Sequence, residues 1–323
     1  MADPFREPLR VVFLGTPDFA VPSLAALLDA GVSVPPVVTQ PDRPVGRHAE
    51  PRPSAVAAFA AERAIPIEKP EAVRGNEALA ERIAAERPDA LAVVAYGRIL
   101  PPGLLALPRL APVNVHASLL PRHRGASPIQ AAILAGDAET GVATMRMAEA
   151  LDAGPVYLER RVPIGPRETA GELSARLATM GAALLADTLA QVEAGSASRT
   201  PQPSEGATVT KKIRKDDGRL DFTQPAQRVH DRARAMTPWP GALASFAGET
   251  LRFARTRIAE GTGAPGAVLS TAPLIVACGE GALEVVRVVP AGKAEMDAPD
   301  WWRGLRASKD ETRFTTPHRE ELS

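Results

Sequence analysis

Leu9-Arg-Val-Val-Phe-Leu-Gly15 is a short apolar run closed by glycine. That pattern belongs to a strand buried on both faces, as in a parallel sheet. Asp18 to Ala30 follows with a helical period: Leu24, Leu27 and Leu28 share one side, and Gly31 is the stop. Val34 to Thr39 reads as a second strand. Ser54 to Ala64 and Asn76 to Glu86 read as helices whose first residues suit N-caps. Ala90-Leu-Ala-Val-Val-Ala95 and Pro112-Val-Asn-Val-His116 supply a third and a fourth strand. This alternation predicts an α/β fold with a doubly wound, mostly parallel sheet. Such sheets take ligands beyond the carboxyl ends of their strands, where the Pro112–His116 strand and the loop after Ala95 both end.

Farther along, Thr169 to Glu193 is a long amphipathic helix, with Leu173, Leu177, Met180, Leu184 and Leu185 at helical spacing. Gly195 to Gly206 is rich in Ser, Pro and Gly and reads as a linker. Beyond it come short strand-like runs between Gly and Pro turns: Ala244-Ser-Phe, Leu251-Arg-Phe, Ala267-Val-Leu, Leu274-Ile-Val-Ala and Leu283 to Val289. They predict a small C-terminal β-barrel or sandwich. The expected division is residues 1–195, a linker over 196–211, and 212–323.

The chain has 323 residues, enough for two domains, and 45% hydrophobic content, enough for a full core. Aromatic residues make up only 4%, so aliphatic side chains are expected to do most of the packing. The formal net charge is +0, which leaves polyanion binding to local patches. One such patch is Lys211-Lys-Ile-Arg-Lys215. Cys278 is the single cysteine, so an intramolecular disulfide and a multi-thiolate zinc site are excluded. His48, His123, His230 and His318 share no metal-ligand spacing, and no metal is expected. No apolar stretch is long enough for a membrane span, and the first residues lack the apolar core of a signal peptide. The expectation is a cytoplasmic chain. Gly15-Thr-Pro-Asp-Phe lacks the glycine spacing of a dinucleotide fingerprint, and no phosphate-binding P-loop occurs.

The chemistry concentrates in Asn114-Val-His-Ala-Ser-Leu-Leu-Pro-Arg-His-Arg-Gly125 and in Leu151-Asp-Ala-Gly154. Asn114 and His116 are two apart, so on a strand both side chains leave the same face. An amide donor, a titratable ring and a carboxylate (Asp152) are what acyl transfer needs when no covalent nucleophile is used. His116 alone would be an ordinary core histidine, and Asp152 alone a turn residue. The reading rests on their combination.

With these residues in view, the chain resembles the methionyl-tRNA formyltransferase family across nearly its whole length. The matching stretches are Gly15-Thr-Pro-Asp-Phe-Ala20, Gln40-Pro-Asp-Arg-Pro44 with Gly46-Arg47, Val94-Ala-Tyr-Gly97, the Asn114–Gly125 loop, Gly136–Gly141, Leu151–Gly154, Trp239-Pro-Gly-Ala242 and Pro290-Ala-Gly-Lys293. The resemblance implies a formyltransferase fold followed by an OB-like barrel. It implies transfer of the formyl group of 10-formyltetrahydrofolate to the α-amino group of methionine on initiator methionyl-tRNA, by direct amine attack through a tetrahedral intermediate, for translation initiation. A sugar-nucleotide N-formyltransferase using the same donor is the alternative, against which the Gln40–Arg47 loop argues. Carried over by position, the catalytic trio is Asn114, His116 and Asp152, and Ser118, Leu119, Leu120 and Pro121 contact the folate. Arg47, Lys211, Lys212, Arg214 and Lys215 hold tRNA, and the protein is expected to act as a monomer. Arg47 is followed by His48-Ala-Glu-Pro51 rather than by lysines, a departure that bears on the grip on the acceptor end and not on the chemistry.

Overall fold

A computed structural model describes residues 8–44, 50–305 and 312–317. The chain divides into two compact units. The first runs to Ala126 and includes Thr140–Val162 and Ser174–Thr210. The second comprises Ser127–Glu139, Pro163–Leu173 and the chain from Lys211 onward. The segment read as a linker therefore belongs, up to Thr210, to the first unit.

In chain order the elements up to Thr210 are β1 (Val11–Gly15), α1 (Val21–Asp29), β2 (Val37–Val38), β3 (Arg43–Pro44), β4 (Pro51–Arg52), α2 (Ala55–Ala61), β5 (Ile67–Glu68), α3 (Glu77–Ala85), β6 (Ala90–Val94), α4 (Pro102–Leu105) and β7 (Ala111–His116). They continue with β8 (Arg124–Gly125), α5 (Pro128–Ala135), β9 (Glu139–Arg146), β10 (Val156–Pro163), α6 (Ala170–Glu193) and β11 (Val209–Thr210). The main sheet has the order β10-β9-β7-β6-β1-β2-β5. β1 pairs in parallel with β2 and β6, and β6 in parallel with β7, whereas β9 runs antiparallel to β7. All residues of β1, β6 and β7 are buried, as the unbroken apolar runs of β1 and β6 require, and β7 carries Asn114 and His116 into the interior with them. The strand expected over Val34–Thr39 shrinks to β2, because Pro35 and Pro36 have no N–H to give to a ladder. Both predicted caps form: Ser54 Oγ accepts the Ala57 N–H and Asn76 Oδ1 the Leu79 N–H, each at 3.0 Å. β9 and β10 have no counterpart among the strands expected from the sequence.

The second unit adds α7 (Ala226–Ala235), β12 (Ala242–Phe246), β13 (Glu249–Ala259), β14 (Val268–Thr271), β15 (Leu274–Ala277), β16 (Ala282–Pro290), β17 (Met296–Asp297), α8 (Ala298–Arg303) and β18 (Phe314–Thr315). Its antiparallel sheet, ordered β14-β15-β16-β13-β12-β18, curls into a half-barrel consistent with an OB-like fold. Register shifts between β13 and β16 around Arg255 supply local bending. The few aromatic residues pool here. Phe314 lies 4.8 Å from Phe246 and 5.4 Å from Phe253, ring centre to ring centre, with Trp301 and Trp302 beside Phe246. Cys278 follows β15 in this core, and burial pushes its thiol up to about 11, which keeps it from acting as a nucleophile at neutral pH.

Candidate active site

β1, β6 and β7 end side by side at Gly15, Val94 and His116, so the loops that follow them gather at one edge of the sheet. The loop after β6 is tied to its neighbours through one carbonyl: Tyr96 O accepts from Thr16 Oγ1 at 3.1 Å and from Gln40 Nε2 at 2.8 Å. Asn114 and His116, on the last turn of the pleat of β7, are 8% and 6% exposed. By strand alternation their side chains share a face.

His116 has a defined tautomer. Its Nε2–H donates to the His123 carbonyl at 2.9 Å. Nδ1 then faces Asp152, whose Oδ2 lies 3.7 Å away. That separation is too long for a hydrogen bond and sets the carboxylate beside the ring nitrogen that the His123 carbonyl leaves unused. The same Oδ2 accepts the Gly125 N–H at 2.8 Å, so the carboxylate is held between the main chain of one loop and the ring of His116. His123 contributes through its main chain: its N–H donates to Thr208 Oγ1 at 2.8 Å.

Local sequence explains how Asp152 gets there. Asp152 adopts φ +48, a left-handed conformation that Asp tolerates better than most residues. Two residues on, a Cβ on Gly154 would lie 1.8 Å from the Arg146 carbonyl, so only glycine lets the turn press against β9. Gly125, at φ +103, is a second such position. A Cβ there would meet the Thr210 carbonyl at 2.6 Å, where β8 pairs with β11.

The residues carried over as folate contacts form the loop between these points. Ser118 Oγ is fully buried and donates to Arg122 O at 2.6 Å, closing the loop on itself. Leu120 packs on Ala143 and Met145 of β9. The Leu119 side chain lies over Gly141. Pro121 follows a cis bond, and its carbonyl accepts the Thr208 N–H at 3.3 Å. The surface these residues offer a ligand is therefore main chain with the half-buried Leu119 and Pro121. Ile99, Leu151 and Val209 are exposed apolar side chains, each close in sequence or pairing to a segment of the site: the β6 loop, Asp152 and β8.

The cations of the basic cluster belong to the second unit. Lys211, Lys212, Arg214 and Lys215 are all exposed on the first turns of the second unit. Arg47 lies outside the described residues, although its described flanks, β3 and β4, pair antiparallel.

Sequence reasoning missed the contribution of residues 200–210. Thr200 pairs with Val156 through two 2.8 Å main-chain bonds, and Val209–Thr210 pairs in parallel with Arg124–Gly125. Between them Gln202 uses its whole amide. Nε2 donates to the carbonyls of Asp152 (2.9 Å) and Gly154 (2.7 Å), and Oε1 accepts from Arg124 Nε (3.0 Å) and Nη2 (2.7 Å). The available signal was an amide side chain set between Pro201 and Pro203, neither of which has an N–H of its own.

Comparison with known proteins places the chain in a family. Residues 9–189 match the formyl transferase family and residues 212–306 the formyl transferase C-terminal domain. A methionyl-tRNA formyltransferase of Methylobacterium sp. (strain 4-46) is 51% identical over 92% of this chain and 97% of its own. One from Myxococcus xanthus is 47% identical over 91% and 95%. Among solved structures, the sugar 3N-formyl transferase WlaRD, determined in the presence of dTDP and 5-N-formyl-THF, superposes with a TM-score of 0.65 at 16% identity, covering 90% of this chain and all 100% of that one. At that identity the likeness speaks for the fold alone. HypX from Aquifex aeolicus in complex with tetrahydrofolic acid gives 0.61 at 16%, over 95% of this chain and 51% of that one.

Proposed function

The chain belongs to the methionyl-tRNA formyltransferases of the formyl transferase family, and on that premise we propose how its residues carry out the transfer. A formyl group passes from a formyl-tetrahydrofolate donor to the amino group of methionine on initiator tRNA. In our reading the donor is 10-formyltetrahydrofolate, and the reaction is a direct attack with no acyl-enzyme. The amine nitrogen bonds to the formyl carbon, the bond from that carbon to the folate nitrogen breaks, and the proton lost by the amine returns to the folate nitrogen.

Each member of the trio has a task. Asn114 donates its amide N–H to the formyl oxygen as negative charge builds there, a contribution worth about 3–4 kcal/mol of barrier for one well-placed donor. His116, locked by the His123 carbonyl, presents Nδ1 on the side of Asp152 and supports the same charge. Asp152 takes the amine proton and passes it on. The observation that carries this reading is the 3.7 Å approach of Asp152 Oδ2 to His116 Nδ1 at the carboxyl edge of the sheet, two residues from Asn114. Main-chain groups of Ser118–Pro121 contact the folate.

Residues 1–195 act in catalysis, with the 196–211 connection stitched onto them through 200–210, and residues 212–323 act in tRNA binding. Arg47, Lys211, Lys212, Arg214 and Lys215 contact tRNA phosphates. The protein works as a monomer in the cytoplasm. Among the described residues no helix is long and apolar enough to cross a membrane. The test offers 10-formyltetrahydrofolate with methionylated initiator tRNA, methionylated elongator tRNA and an amino-sugar nucleotide in parallel. Formylation of the initiator tRNA alone is expected; formylation of the sugar nucleotide in preference to it would overturn the acceptor assignment.

A further inference from the structure

We propose that Gln202 is a positioning residue for the transfer, acting through the two carbonyls it holds on the Asp152 turn. The inference rests on the catalytic reading of Asp152 given above. Asp152 is in a left-handed conformation. A non-glycine residue in such a region persists only where its surroundings hold it there. The turn 150–154 supplies little of that by itself, since its one internal main-chain bond is Ala153 N–H to Ala150 O at 3.3 Å.

The remaining restraint comes from outside the turn. Gln202 Nε2 donates its two hydrogens to Asp152 O and Gly154 O, the carbonyls on either side of Ala153. Its Oε1 is gripped by two nitrogens of Arg124, and Arg124 precedes Gly125, whose N–H holds the Asp152 carboxylate. One amide thus couples the main chain of Asp152 to the loop that orients its side chain. Glutamine suits this place because it gives two hydrogens on one side and accepts two on the other. Glutamate could keep the Arg124 contact and would lose both donations. The main chain around Gln202 is fixed on both sides, by the Thr200–Val156 bonds and by the β8–β11 pairing, so the side chain is delivered to the turn with little entropy left to lose.

A carboxylate displaced by about 1 Å can cost on the order of a hundredfold in rate with substrate binding intact. Gln202→Glu and Gln202→Met separate the donations from the Arg124 contact. In the full-length protein, kcat and KM for both substrates and the unfolding midpoint are measured for each, beside Asp152→Asn. We expect kcat to fall at least tenfold in both Gln202 variants, KM to stay within threefold, and the midpoint of Gln202→Glu to stay near that of the parent. Parental kcat in Gln202→Glu would overturn the proposal, because the donations would then be dispensable. A loss that appears only in KM, or only in step with the unfolding midpoint, would overturn it as well. The Asp152→Asn arm keeps the two readings apart. If it remains active, the role of Asp152 fails; if it is inactive while both Gln202 variants keep parental kcat, only the present inference fails.

Discussion

Asn114 is buried in the middle of the sheet, and an amide in such a place is costly unless it has something to do. Replacing it with alanine removes one hydrogen-bond donor and leaves the packing of β7 nearly unchanged. We predict that Asn114→Ala lowers kcat by about a hundredfold to a thousandfold, with KM for the folate donor within a few fold. Steady-state kinetics check this, and a change confined to KM would show that the amide binds substrate without favouring the transition state. At this scale the sequence offers Asn114, His116 and Asp152 only as a combination, since His116 alone suits a core and Asp152 alone a turn, and the structure brings His116 and Asp152 together. What could not be read is the geometry between them. The tautomer of His116 is set by the carbonyl of His123, a main-chain atom that no side-chain pattern announces. Gln202 stayed hidden for a related reason. Its partners are carbonyls some 50 residues away, and in the sequence it is one polar residue among prolines and serines.

Elements were legible where burial follows apolarity. β1 and β6 are continuous apolar runs, β7 alternates apolar residues with Asn114 and His116, and α2 and α3 announce themselves by their caps. α7 breaks that rule. Its sequence, Ala-Gln-Arg-Val-His-Asp-Arg-Ala-Arg-Ala, is strongly polar, yet His230, Asp231 and Arg234 are buried. Asp231 and Arg234 pair at 2.8 Å, while His230 donates from Nε2 to Pro166 O and accepts at Nδ1 from Thr256 Oγ1. Polar groups that satisfy one another inside a unit do not show in a hydropathy pattern. Burial, with a smaller contribution from the Arg234 charge, pushes His230 below its usual value of 6.5, against the opposing effects of its bond to Pro166 and the Asp231 charge. The folded state thus prefers the neutral ring, and the unfolded chain takes up the proton first as pH falls. Stability is fully present above about 6.5 and drains away below it, by at most about 1.4 kcal/mol per pH unit, until the folded value is reached. Unfolding midpoints measured at pH 7.5 and 5.5 should fall more for the parent than for His230→Gln. Equal slopes would contradict this account of the helix.

For the molecule as a whole, a formal charge of +0 coexists with a polyanionic substrate, so recognition has to be local. Four exposed cations lie within five residues, Lys211 to Lys215. If each meets one phosphate, counterion release makes the tRNA dissociation constant rise about tenfold when salt doubles. Folate binding, measured by titration in the same buffers, should change less than twofold. A tRNA affinity no more salt-sensitive than that of folate would remove the basic cluster from the interface. Two-unit organisation was readable from the change in composition after Gly206, but the allocation of residues to units was not. The fold gives 127–139 and 163–173 to the second unit and stitches 200–210 into the first, through pairings between segments distant in sequence.

The central claim is that an imidazole held by a main-chain carbonyl, facing a carboxylate, drives amine attack on the formyl carbon. It is tested most directly by the single-turnover rate of formylation by His116→Ala, with saturating donor and methionylated initiator tRNA. We predict a rate at least a hundredfold below the parent with an unfolding midpoint within a few degrees of it. A rate within threefold of the parent would contradict the mechanism.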